Sequence, residues 1–143
     1  MPRTAPVPLC LAALAIAGCG GGSSAADHAR AAAQNYVHDL GHRDGEAVCA
    51  DVTKARRTQF IDALVRANPE VRGRRCGDIM SLALRSIPYD QLQEFSTAKI
   101  ESVRLTGSAG TFVYRLRDLR FDGRVAREGG AWKVSCCVPG QDG

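Results

Sequence analysis

The chain has 143 residues, 45% of them hydrophobic and 24% charged, with a formal net charge of +4 at neutral pH. That length suits one folded domain with its own apolar core, and so modest a charge, spread along the chain, excludes the dense basic surface that nucleic-acid binding requires. No stretch carries the roughly 20 consecutive apolar residues that a membrane-spanning helix needs.

The opening segment MPRTAPVPLCLAALAIAG has the layout of a secretory signal: one basic residue, Arg3, an apolar run from Val7 to Ala17 broken only by Pro8, then small residues. Ile16-Ala17-Gly18-Cys19 resembles the bacterial lipobox, in which the cysteine is acylated and becomes the first residue of the mature protein; leucine is usual where Ile16 stands. The resemblance implies that residues 1–18 are a lipoprotein signal peptide and that Cys19 is the lipidation site. After cleavage nothing apolar remains at the amino end, and stable attachment takes more than one acyl chain, so a diacylglyceryl cysteine, with its palmitate-type chains, replaces the removed helix. Residues 19–26 then form a flexible tether, of which Gly20 to Ala25 reaches roughly 12 to 15 Å. The expected location is extracytoplasmic, lipid-anchored to the bacterial cell membrane.

From Asp27 to Leu40 the residues Ala29, Ala33, Tyr36, Val37 and Leu40 recur at helical spacing, and Gly41 closes the pattern. A short helix over Glu46 to Val52 carries Cys49. Lys54 to Ala67 follows with Phe60, Ile61, Leu64 and Val65 on one face, ended by Asn68-Pro69. The basic run Arg72-Gly73-Arg74-Arg75 reads as a solvated loop between helices, with contact to anionic lipid head groups as the alternative. Cys76 to Ser86 is a further helix with Ile79, Leu82 and Ala83 inward, and Pro88 to Ser96 adds an irregular turn.

From Lys99 the period drops to two. Val103 and Leu105 flank Arg104, and Phe112, Tyr114 and Leu116 alternate with Val113 and Arg115. Leu119 to Arg127 is a third strand with Asp122-Gly123 as a bulge or tight turn, and Ala131 to Val138 a fourth after Gly129-Gly130. Turn signals between the strands favour antiparallel hairpins. The fold class is therefore α+β: N-terminal helices packed on a four-stranded antiparallel sheet over residues 27–138, with 139–143 as a C-terminal tail.

Of six cysteines, Cys10 leaves with the signal and Cys19 carries lipid. Export permits the other four to oxidise. Cys49 and Cys76 fall at neighbouring helix ends and form the preferred disulfide, closing about 27 residues for roughly 3 kcal/mol in the chain-entropy model. Adjacent Cys136 and Cys137 point to opposite faces if their segment is a strand. A vicinal bond would strain the backbone; a free thiol pair, a crossed pairing with Cys49 or Cys76, and an intermolecular bridge through Cys137 stay open. No CxxC or clustered histidine accompanies them. His38 and His42 share a helical spacing, but Gly41 marks the helix end and no third ligand stands nearby, so no metal and no cofactor is expected.

The order of elements, with the AAAQNYVHDLGHRDGEAVCADVT opening and the VRLTGSAGTFVYRL and GGAWKV strands, resembles the NTF2-like or SnoaL-like superfamily, especially its small secreted or lipid-anchored bacterial members of unknown function. The resemblance implies a curved sheet wrapping a long helix to make a cone, often with an apolar pocket at its open end. Enzymatic relatives place an acid or base and a hydrogen-bonding tyrosine inside the cone; the nearest equivalents are Tyr36, Asp39, Tyr114 and Asp118, and the pocket would be lined by Tyr36, Asp39, Phe112, Tyr114 and Trp132. Read from the residues alone, Tyr36 and Tyr114 are core packing and Asp39 a solvated surface charge. Spacing assigns no carboxylate pair and no nucleophile with its base. The expected function is accordingly a non-enzymatic binding domain for a small apolar ligand or an envelope protein; the alternative is a SnoaL- or ketosteroid-isomerase-like cyclase or isomerase using the same cavity, and thiol-linked assembly through Cys136 and Cys137 is a third.

Overall fold

The computed structural model describes residues 23–136; the signal segment, Cys10, Cys19, Cys137 and the residues beyond it lie outside the described residues. Ser24 caps the first helix, α1 (Ala25–His42). Its hydroxyl oxygen accepts from the Asp27 backbone N–H at 3.1 Å, while the Asp27 carboxylate accepts from the Ser24 backbone N–H at 2.9 Å. This reciprocal pair satisfies two of the donors that a helix start leaves open, and it holds the Asp27 carboxyl below its usual range. Ala25 and Ala26, expected in the tether, are thus the first turn of the helix.

α1 also runs two residues past Leu40, to His42, and its left-handed cap is Arg43 rather than Gly41. Gly41 is glycine for another reason. A Cβ there would overlap the backbone of Ser96, so its missing side chain lets α1 and α5 (Tyr89–Ser96) touch main chain to main chain. α5 itself replaces the irregular turn expected after Pro88: the proline stands at the N-cap, where a missing N–H costs a helix nothing.

Between them lie α2 (Gly45–Asp51), α3 (Lys54–Ala67), a 3-10 turn (Pro69–Val71) and α4 (Cys76–Ser86). Asp44 and Thr53 cap α2 and α3 through their side chains. α4 buries Ile79, Met80 and Leu84, whereas Leu82, expected inward, is 43% exposed.

The strands β1 (Lys99–Thr106), β2 (Ala109–Leu116), β3 (Leu119–Glu128) and β4 (Ala131–Cys136) form one antiparallel sheet in sequence order. Two-residue turns join each pair: Gly107-Ser108, Arg117-Asp118 and Gly129-Gly130. Both residues of the last turn have positive φ, the geometry that matches strand twist and that glycine adopts without strain. Asp122-Gly123 is neither bulge nor turn. Gly123 pairs in register with Phe112, and its bare Cα makes room for the Phe112 ring lying across it. The register shifts instead at Glu101 in β1 and Ser135 in β4.

One sheet face packs on α1. Phe112, Tyr114, Val125 and Val134, each no more than 2% exposed, close against Ala29, Ala33, Tyr36, Val37 and Leu40. Polar ties fix the docking: Gln34 Nε2 donates to the Ala98 carbonyl at 2.8 Å, and Arg30 Nη1 to that of Ile100 at 2.5 Å. The other face is charged. Arg115 and Arg120 stand opposite one another, and Glu101 between them accepts from both, at 2.5 and 2.8 Å.

Candidate functional site

The helices leave a cavity on the side of α1 turned toward α3 and α4. α3 is amphipathic, with Phe60, Ile61, Leu64 and Val65 half-buried as its pattern requires, yet it has no fully buried residue. Its start is tied to the sheet. The Thr53 N–H donates to the Val134 carbonyl at 3.0 Å, the Lys54 N–H donates to the Glu128 carboxylate at 3.0 Å, and Asn68 terminates the helix against the Pro69 turn. Beneath its middle lies a space of about 360 Å³ lined by Tyr36, Leu40, Leu64, Met80 and Leu84 among others. A second hollow of about 310 Å³ adjoins it between α3, the 3-10 turn and α4, and Leu64, Ala83 and Ser86 line both. Volumes of this order lie in the range of small-molecule sites.

Tyr36 supplies the cavity wall with a phenol. Burial, with smaller contributions from Tyr114 and Asp51 and against the pull of Arg56, raises its pKa well above the ordinary phenol value, so it is a neutral hydrogen-bonding group throughout the physiological range. The Arg56 guanidinium lies over the Phe60 ring, 4.3 Å from its centroid, and places a cation close to the same cavity.

Asp39 is partly buried. Its side chain is 25% exposed and lies beside the Asp51 carboxyl at the end of α2, whose Oδ2 is buried and has no hydrogen-bond partner among the described residues. Two neighbouring carboxyl groups resist being ionised together. Burial, then the neighbouring Asp39 carboxyl and the charge of Asp44, push the Asp51 carboxyl up to about 7, against the opposing charge of Lys133. Lys133 itself donates to the Ala50 carbonyl. Asp51 and Lys133 line a different hollow, of about 660 Å³, on another face of α1, with Asn35 and Trp132.

The five residues expected around one pocket are therefore distributed. Tyr36 lines the cavity under α3, Trp132 the hollow beside Asp51, and Asp39 meets Asp51 at the side of α1. Phe112 and Tyr114 lie in the packed core, their rings 5.9 Å apart, and Phe121 follows at 5.4 Å from Tyr114. Burial also raises the Tyr114 pKa. Asp118 is exposed in the β2–β3 turn. The residues that spacing failed to single out are Asp51, Lys133 and Arg43, because nothing local in the sequence announces which neighbours they acquire.

His38 and His42 do face one another, Nε2 to Nε2 at 3.0 Å, since α1 continues through both. Among the described residues no group of three or more metal-ligating side chains is assembled. Cys49 and Cys76 form a disulfide that clamps α2 to α4, with their Cα atoms 6.2 Å apart. Cys136 is also disulfide-bonded. The Cys49–Cys76 bond leaves neither of those two cysteines for a crossed pairing with Cys136. The basic run beginning at Arg72 is exposed, and its last member, Arg75, pairs with Asp78 at 3.2 Å.

Among known proteins, no family model, no curated protein and no solved structure matches this chain.

Proposed function

We propose that the protein is a lipid-anchored extracytoplasmic binding domain, without enzymatic activity of its own, that holds a small apolar ligand in the cavity under α3. The observation that carries this reading is the cavity itself: about 360 Å³ of space walled by apolar side chains and a neutral tyrosine. The lipobox-like Ile16-Ala17-Gly18-Cys19 and the Cys49–Cys76 disulfide support an exported, membrane-attached protein. Helices followed by a four-stranded meander support the finer assignment to an NTF2-like cone.

Two measurements test it. Replacing Cys19 by serine is expected to move the protein from the membrane to the released fraction; continued membrane retention refutes the lipid anchor. Mass spectrometry of small molecules extracted from protein purified from native membranes is expected to find an apolar compound that is absent from an Ala83→Trp variant, in which an indole fills the junction of the two hollows. Equal recovery from both refutes the cavity as its site, and recovery of a cross-linked envelope protein alone favours a protein partner instead.

A second reading, a cyclase or isomerase, is favoured by one observation: Asp51, which keeps a proton near neutrality, is close enough to Tyr36 for its charge to help raise the phenol's pKa. What such an enzyme needs is that acid and that phenol in one cavity. They line different ones.

A further inference from the structure

Two histidines at the end of α1 converge on one point outside the cavity. Gly41 does not stop the helix, which runs through His42; the backbone N–H groups of Arg43 and Asp44 then turn back to the Leu40 and Asp39 carbonyls and close the last turn. Gly41 itself lies against the Ser96 backbone, so α5 fixes the same turn from its buried side. His38 and His42 therefore stand one helical turn apart, both exposed. Their Nε2 atoms are 3.0 Å apart, with the ring planes tilted by 56°, so the rings meet through these nitrogens rather than by stacking. The other nitrogen of His38, Nδ1, lies 3.9 Å from the Asp39 carboxylate.

A carboxylate beside Nδ1 favours the tautomer that carries its proton there, which turns the Nε2 lone pair of His38 toward His42 for a metal. Two histidines four apart on a helix are a known way of presenting a pair of ligands to one ion. An imidazole nitrogen binds a transition metal at about 2.0 to 2.1 Å, so an ion shared by these two Nε2 atoms sees them at an angle of about 95°. A tetrahedral site would need the nitrogens about 3.3 Å apart. An angle near 90° belongs to the square-planar and tetragonal sites of copper(II) and nickel(II), and copper(II) stands highest in the affinity order of divalent ions. From this convergence we infer that His38 and His42 chelate a divalent transition metal, copper(II) ahead of zinc. Among the described residues no third ligating side chain joins them, so the other coordination positions face solvent and take water. The site is independent of the cavity under α3.

Copper(II), buffered by glycine at pH 7.5, is titrated into the purified full chain without an affinity tag. The tightest equivalent of copper is expected at this pair, and its electron spin echo spectrum should show two imidazole nitrogens. A second ligand held in place adds about a hundredfold to the affinity of the first, so His38→Ala and His42→Ala should each weaken that equivalent by about this factor. Both rings are exposed, and unchanged far-UV circular dichroism shows that the variants are folded. Zinc, titrated in the same way, should bind more weakly than copper. Undiminished copper affinity in either variant means that the two rings form a hydrogen-bonded pair only, and overturns the chelate. Zinc binding as tight as copper overturns the assignment of the metal.

Discussion

The two surfaces that close on α1 differ in how completely they fill the space against it. On the sheet side Phe112, Tyr114, Val125 and Val134 are all but sealed from solvent, and the Phe112 ring fits only because β3 carries glycine at position 123. On the side of α3 the apolar residues are equally well patterned, but the helix is tied to the sheet at its start and leaves a cavity under its middle. Amphipathic periodicity brings an apolar face to an apolar face; it does not guarantee that the shapes interlock. Dense packing follows where large and small residues alternate across the interface, and ligand space remains where they do not.

The contrast should be measurable in the cost of removing one side chain from each surface. Phe112→Ala deletes a fully buried ring and is expected to destabilise the fold by about 3 to 5 kcal/mol, whereas Leu64→Ala, at a half-buried cavity wall, should cost about 1 kcal/mol. Urea denaturation of the two variants checks this, and comparable losses would mean that both surfaces are equally packed. Next in size is the disulfide. A Cys49→Ala/Cys76→Ala variant frees a loop of 27 residues and should lose about 3 kcal/mol, read from the denaturation midpoint of oxidised wild type against the variant. Because the clamp joins α2 to α4, both of which line the cavity, the loss should be accompanied by weaker ligand retention if that wall depends on it.

The smallest effect concerns the acid pair at the side of α1. In the unfolded chain Asp51 ionises near its ordinary value of 3.8, but in the folded state it holds its proton up to about 7. The unfolded state therefore releases the proton first as pH rises, and stability falls between roughly pH 4 and pH 7, then levels off. Asp51→Asn, which carries no ionisable group, should flatten that slope and stabilise the protein at pH 8 by on the order of 1 kcal/mol, a figure reduced for the partial solvent exposure of the site. Thermal melts at pH 4.5, 6 and 8 would show it. An unchanged slope in the variant would mean that Asp51 is already ionised with Asp39 beside it.

Much of the architecture is written locally. Periods of 3.6 and 2 separate the helical half from the sheet, Asn68-Pro69 ends α3 where expected, and Gly129-Gly130 makes the hairpin its chemistry dictates. The cysteine spacing was enough to select Cys49–Cys76, because both cysteines fall at the ends of short helices that must pack on each other. The Ser24 cap was legible in principle, since a serine followed three residues later by an aspartate precedes an alanine run, yet the same residues continue the glycine-serine spacer and read as its end.

Other features had no local signal. Gly41 looked like a helix stop, but its role is set by Ser96, more than fifty residues away, whose backbone occupies the space of a side chain. Leu82 belongs by spacing to the inner face of α4 and is exposed because α3 does not close fully over it. Asp39 and Asp51 are unremarkable as single residues; they become neighbours only because the ends of α1 and α2 converge. By itself the sequence determined the class and order of the elements and the anchor-like motif at Cys19, for these depend on near neighbours along the chain. Tertiary structure alone decided which apolar faces interlock, where a cavity is left, and which charges lose their water, because each is a property of surfaces that meet across long separations in sequence.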